Sequence, residues 1–240
     1  MQKMQWEGVR PNTPIFNMII KGYALSGNLA GAEGMLREME GSGQWDCEAL
    51  GIKPDATTYA TLMNMWADNP EQGGVERVKQ LLNKMRKNEV AVDGVVYGTL
   101  IKTHLRARDP AQAEKVLKEM VHDGLQPKVV AWTTVLAAWA NAGEMAQAER
   151  VLKEMMDDRV RPNHMTFHHL IWGHGKAGNP QAAEGVLATM ESAKLPSTPT
   201  TLKLIQEAYF DSGLEPPPGL GARVAEANEK GGTVKMGGGK

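Results

Sequence analysis

Ala113–Met120 reads AEKVLKEM, and Ala148–Met155 reads AERVLKEM, 35 residues further on. Variants of the same octet stand at 32–39 (AEGMLREM), 78–85 (VKQLLNKM) and 183–190 (AEGVLATM). The closing methionines keep the register. Met4 and Met39 are 35 apart, and so are Met85, Met120, Met155 and Met190 in succession. Only the step from Met39 to Met85 differs, at 46. Self-similarity at a fixed period of this length marks a repeat architecture.

A second ladder runs beside the first: FNMIIKGY from Phe16, YATLMNMW from Tyr59, YGTLIKTH from Tyr97, WTTVLAAW from Trp132, FHHLIWGH from Phe167 and LKLIQEAY from Leu202. In both ladders apolar residues fall at i, i+3, i+4 and i+7, which is one face of an α-helix. Each unit therefore holds two amphipathic helices. SGN, NAGE and KAGN separate them, with Gly27, Gly143 and Gly178 placed to end a helix in the left-handed region. VRPN, IKPD, LQPK and VRPN separate the units, because proline forces the residue before it out of the helical region. Asp55 and Asn163 follow as N-caps. The irregular step of 46 comes from about eight inserted residues at 44–51 and about three near Pro70.

The expected fold is all-α: a right-handed α-solenoid of stacked helix-turn-helix repeats of about 35 residues each. Full units span 13–55, 56–93, 94–128, 129–163 and 164–198. A second-helix remnant at 1–12 precedes them and a terminal helix at 199–213 follows. Residues 214–240, with LEPPPGLG and GGTVKMGGGK, read as a Pro/Gly-rich flexible tail.

Bulk composition narrows the function. The chain has 240 residues, 42% of them hydrophobic, enough for a buried core. Its formal charge of −1 is not that of a strongly basic nucleic-acid binder, so any such contact needs a local basic face. One cysteine, Cys47, excludes an internal disulfide. No apolar run approaches the ~20 residues of a bilayer span, and no signal or transit peptide is legible at Met1. The chain has no Gly-rich phosphate loop, CxxC or HExxH. A non-enzyme without cofactor or metal is expected. Four of six histidines crowd into HMTFHHLIWGHG at 164–175, but the register spreads them over different helix faces. His174 takes the i+7 core slot, and only His164 and His168 share a face.

The opening aromatic-x-x-Leu-Ile, the Ala-Gly turn, Ala-Glu-x-x-Leu-x-x-Met and the closing Ile-Lys-Pro-Asp resemble the pentatricopeptide repeat family over roughly 1–213. The Trp-x-x-Leu-Gly-x-x-Tyr opening of the tetratricopeptide repeat is absent. The resemblance implies an organellar protein, mitochondrial or chloroplast, that binds single-stranded RNA at one base per repeat. It also implies which residues read bases: the one after the opening aromatic, paired with the last of the unit. These are Asn17 with Asp55, Ala60 with Asp93, Gly98 with Lys128, Thr133 with Asn163, and His168 with Thr198. Asn17/Asp55 resembles the family's uracil pair and Thr133/Asn163 its adenine pair. Ala60 and Gly98 have no side chain that hydrogen-bonds. The base-flanking slots hold Pro14, Thr57, Val95, Val130 and Met165, of which Val95, Val130 and Met165 are apolar wedges.

Lys21, Lys102, Arg106, Arg108 and Lys176 on first helices or their ends are candidate phosphate contacts. The charges Glu114, Lys115, Lys118 and Glu119 on a second helix read as solvent-exposed ion pairs. Trp45 and Cys47 form a candidate partner loop, or fold back on the repeats. With two family-like pairs in five, the reading drawn is an RNA-binding structural or associated component of a ribosomal, rRNA-containing particle. Its partners are RNA and ribosomal or other organellar proteins, with neither membrane nor DNA. The alternatives are a sequence-specific RNA-processing, stability or translation factor and, third, a protein scaffold.

Overall fold

The computed structural model describes residues 11–42 and 46–233. Residues 1–10, which carry most of the expected second-helix remnant, lie outside the described residues, as do Trp45 and 234–240. Among the described residues there are helices and no strands. Six hairpins or part-hairpins follow in order. The first is α1 (Thr13–Leu25) with α2 (Leu29–Met39), and the second is α3 (Ala56–Ala67) with α4 (Gly74–Lys87). Next come α5 (Gly94–Arg106) with α6 (Pro110–His122), and α7 (Val129–Asn141) with α8 (Met145–Asp157). Then α9 (His164–Lys176) pairs with α10 (Pro180–Ser192), and α11 (Pro199–Asp211) is followed by α12 (Leu220–Thr233).

The chain forms two compact units, one ending at Gln126 and the other beginning at Pro127. In the first, α1, α3 and α5 pack in a row and each holds its own second helix. In the second, α7, α9 and α11 do the same, and α12 packs on α11. This is the stacked-hairpin arrangement of an α-solenoid.

Local chemistry explains the helix ends. Asp55 accepts from the Thr58 amide at 2.8 Å, Asn163 from the Thr166 amide at 3.0 Å and Thr198 from the Thr201 amide at 3.2 Å. Each satisfies an amide that the first helical turn leaves without a partner, worth ~1 kcal/mol. Gly27, Gly143 and Gly178 end the first helices at φ of 69°, 81° and 70°. The second insertion forms a 3₁₀ turn, Pro70–Gln72, leading into Gly74. A Cβ on Gly74 would meet the Trp66 carbonyl oxygen at 2.2 Å, so only glycine fits there.

The opening aromatics Phe16, Tyr59, Tyr97 and Phe167 are buried, as are the closing methionines Met85, Met155 and Met190. Each fully buried apolar side chain of this size contributes ~1.5–3 kcal/mol. A polar ladder accompanies this core. The Trp66 indole N–H donates to Glu33 at 2.8 Å, and Arg77 Nε donates to the same carboxylate oxygen at 2.7 Å. Further along, His174 Nε2 lies 2.8 Å from Glu149 Oε1, and the Tyr209 hydroxyl bonds Glu184. In each case the glutamate of an Ala-Glu doublet meets the i+7 residue of the following first helix.

Three expectations change. Residues 220–233 are helical instead of part of a flexible tail. Leu220 is buried and Arg223 bonds Glu191, so the segment beyond the prolines has a surface to fold on. Glu114 is buried and pairs with Lys118 at 2.7 Å, whereas Lys115 and Lys118 are exposed. In the first insertion Cys47 is 1% exposed, and Ile52 just after it 2%, so its described part folds back onto the first unit. Burial, reinforced by Glu38 and Asp46, pushes the Cys47 thiol up from its ordinary value.

Candidate nucleic-acid interface

The N-terminal turns of the first helices bring the base-reading candidates and their paired residues to one end of each hairpin. In the first unit, Asn17 Nδ2 donates to Asp55 Oδ1 at 3.1 Å. The Thr58 hydroxyl donates to Asn17 Oδ1 at 2.6 Å. Burial acts to raise the Asp55 pKa, but hydrogen bonds from Thr58 and Asn17 outweigh it and hold the carboxyl below its ordinary value. Asp55 is therefore a charged acceptor at neutral pH. Ala60 is half-buried, and Asp93 caps α5 through the Val95 and Val96 amides at 3.0 and 3.1 Å. Gly98 has nothing within 4 Å of where a Cβ would stand.

In the second unit Lys128 is exposed at the start of α7 and makes no side-chain cap. Thr133 is buried, its hydroxyl 2.8 Å from that of Thr166. Thr166 also donates to Asn163 Oδ1 at 3.1 Å. His168 Nε2 lies 2.7 Å from the Thr201 hydroxyl, which is 2.8 Å from that of Thr198. Burial, then the neighbouring His164 and His169, hold the His168 imidazole below its ordinary value, so it is neutral at pH 7. The other histidines of the cluster part company as the register requires. His164 bonds the Pro196 carbonyl at 3.1 Å, and His174 is buried against Glu149.

Beside these pairs stand apolar side chains that the fold leaves in solvent. Val95 is 61% exposed, Val130 71% and Met165 53%, while Pro14 and Thr57 fill the equivalent slots and are also exposed. The second residue of a helix projects from the end of the hairpin, clear of the neighbouring helices. A Val or Met there makes few contacts within its own unit.

The cations lie one to two turns on. Lys21 and Arg108 are exposed. Lys102 Nζ reaches Asp68 at 3.4 Å and Arg106 pairs with the same carboxylate, so the trio keeps one net positive charge. Lys176 bonds Asp211 at 3.0 Å. The sequence reading assigned no role to Trp172, which occupies the helix slot of Lys21 and Lys102. It is 38% exposed and shares a face of α9 with Met165 and Lys176, at i, i+7 and i+11. Its position five residues after Phe167 was the signal that could have found it. Thr58, Thr166 and Thr201 carry no such signal in the sequence, because their bonds to Asn17, Thr133 and His168 join different repeats.

Comparison with known proteins places the repeats. Sequence models described as "Pentatricopeptide repeat domain" match residues 44–103, 80–130 and 115–176, and "PPR repeat" models match 7–40 and 165–195. The chloroplastic pentatricopeptide repeat-containing protein At3g09650 of Arabidopsis thaliana is 28% identical over 51% of this chain and 15% of its own length. The Arabidopsis protein At5g25630 of the same description is 32% identical over 50% of this chain and 20% of its own. This chain thus spans a fifth or less of the length of these two relatives. Among solved structures, the pentatricopeptide repeat protein PPR10 from maize superposes with a TM-score of 0.70 over 87% of this chain and 27% of PPR10, at 24% identity. The PPR domain of Arabidopsis protein-only RNase P 1, solved in complex with tRNA, superposes at 0.64 over 82% of this chain and 98% of that domain, at 16% identity.

Proposed function

We propose, from the premise that this chain belongs to the pentatricopeptide repeat family, that it is an organellar, non-enzymatic RNA-binding protein whose hairpin ends take unstacked bases. The observation that carries the reading is that the same helix position holds an exposed apolar residue in successive repeats, Val95 in the first unit and Val130 and Met165 in the second. Solvent-exposed Val and Met contribute little to a fold, but they can seat against the faces of splayed bases. The pairs Asn17/Asp55, Thr133/Asn163 and His168/Thr198 offer polar atoms to a base edge. The exposed cations supply phosphate contacts that position the strand without reading it. Structures titled as RNA complexes of PPR10 and of the RNase P 1 domain share this fold, which supports RNA as the ligand class. Relatives named chloroplastic support an organellar location.

The test is fluorescence anisotropy with labelled oligoribonucleotides at fixed salt. Val130→Asp and Met165→Asp alter exposed side chains, so folding should change by no more than ~0.5 kcal/mol. Each should weaken RNA binding by about tenfold or more, from a stacking contribution of ~1–3 kcal/mol per base. Val121→Asp, also exposed but on a second helix, should leave binding unchanged. Equal behaviour of all three variants sinks the assignment.

A second reading, a structural component of an rRNA-containing particle, is favoured by Ala60 and Gly98. These two positions bring no side-chain hydrogen bond to a base, which lowers the attainable sequence specificity. Co-sedimentation with an organellar ribosomal particle in high salt is its signature, whereas release from the particle together with selection of one short RNA excludes it.

A further inference from the structure

The geometry points to Thr58, Thr166 and Thr201 as positioning residues, each of which holds the base-reading side chain of the preceding repeat in one orientation. The inference rests on the RNA-binding reading above and extends it to residues that reading does not include. Each threonine is the third residue of its helix and belongs to a capping box with Asp55, Asn163 or Thr198. Each also makes a second bond that capping does not require: to Asn17 at 2.6 Å, to Thr133 at 2.8 Å and to His168 at 2.7 Å. Thr58, Thr166 and Thr201 are 0% exposed, so water does not compete for these bonds.

The repeats contain their own control. Ala60 and Gly98 have no side chain to orient, and the third residues of the corresponding next helices are Val96 and Ala131, without hydroxyls. A hydroxyl stands at the third position where the preceding reader can bond to it, and is missing at the two positions where the reader cannot.

The consequence is clearest at Asn17. A primary amide presents a donor and an acceptor side by side, and rotation by 180° exchanges them. Here Oδ1 accepts from Thr58 while one Nδ2 hydrogen goes to the Asp55 carboxylate. The exchanged orientation would place the amide oxygen 3.1 Å from a carboxylate oxygen, two acceptors face to face. One N–H and one lone pair of Asn17 then remain, in fixed order, for a base edge. Thr58 has a single hydroxyl hydrogen, and the nearer acceptor is Asn17 at 2.6 Å, against Asp55 at 3.0 Å. At His168 the bond to Thr201 commits Nε2 and leaves Nδ1 as the other ring nitrogen.

The test compares Thr58→Val with Thr58→Ser in the full chain. The readout is the ratio of affinities for oligoribonucleotides that differ at one nucleotide, together with an RNA-free double-mutant cycle of Asn17→Ala and Thr58→Val on denaturant stability. Thr58→Val should reduce discrimination at one base position by about five- to tenfold, while total affinity changes less. Thr58→Ser should restore it, and the cycle should be non-additive. Thr166→Val and Thr201→Val ask the same at two further positions if Thr58→Val folds poorly. Unaltered discrimination in the valine variants overturns the proposal and leaves RNA binding standing. Failure of the wild-type chain to bind any RNA overturns both, and an additive cycle in that case removes the orienting bond as well.

Discussion

His104 stands in the slot that Trp66, His174 and Tyr209 occupy in other hairpins, but a lysine faces it. The residue equivalent to Glu33 and Glu149 is Lys79, and the buried Nδ1 of His104 has no hydrogen-bond partner. Burial and then Lys79 depress the His104 pKa below its ordinary 6.5, against opposing pulls from Asp109 and Glu119. The unfolded chain therefore takes up the proton more readily than the folded one. Stability is fully present above pH ~6.5 and is lost as pH falls through the unfolded value towards the depressed folded one. His168 and His169, also depressed by burial, add to the same slope. Lys79→Glu places the missing acceptor on an exposed position of α4. Denaturant midpoints measured from pH 8 to pH 5 should fall less steeply in that variant than in the wild type. An unchanged slope would show that the polar ladder does not reach His104. The register put His104 in a core slot, but the mismatch was visible only once the partner across the hairpins was known.

At the scale of the helix, ends follow local rules closely. Glycines at Gly124 and Gly143 take φ of 78° and 81°, and the sequence announces both. The equivalent positions Arg159, Lys194 and Arg108 take φ of 60°, 63° and 57° with side chains that disfavour this region. The stacking of the next helix dictates the turn there, whatever residue occupies it. Arg159→Gly should therefore raise unfolding stability by ~1 kcal/mol, and Gly124→Ala should lower it by about the same amount. Thermal or denaturant melts decide, and a neutral result at both sites shows that the turns relax freely. The helix α12 escaped the sequence reading for a related reason. Ser212 and Gly213, at φ 67°, end α11 and the prolines that follow keep the chain out of a helix, but the segment from Leu220 forms one once Leu220 has an apolar surface to cover.

At the scale of the molecule, near-neutral net charge predicts modest electrostatics in RNA binding. Single-stranded complexes lose affinity with a log–log salt slope of about −0.7 per phosphate contacted. Lys102→Ala should weaken binding alike for all oligonucleotides and flatten that slope by up to ~0.7, whereas Thr133→Ala should change base preference and leave the slope alone. Salt titrations of the two variants separate strand positioning from base reading. The sequence by itself determined the period and the pairing of helices, because they recur along the chain, and the caps at Asp55 and Asn163 and the glycine turns, because each of these depends on neighbours within about one helical turn. It also located the base-reading candidates, through a family resemblance. Only the tertiary structure decided that Thr58 bonds Asn17, that Glu149 bonds His174, that Cys47 is buried and that Trp172 is exposed. Those contacts join residues from different hairpins or from an inserted loop, and side chains 25 to 41 residues apart meet only after the hairpins have stacked.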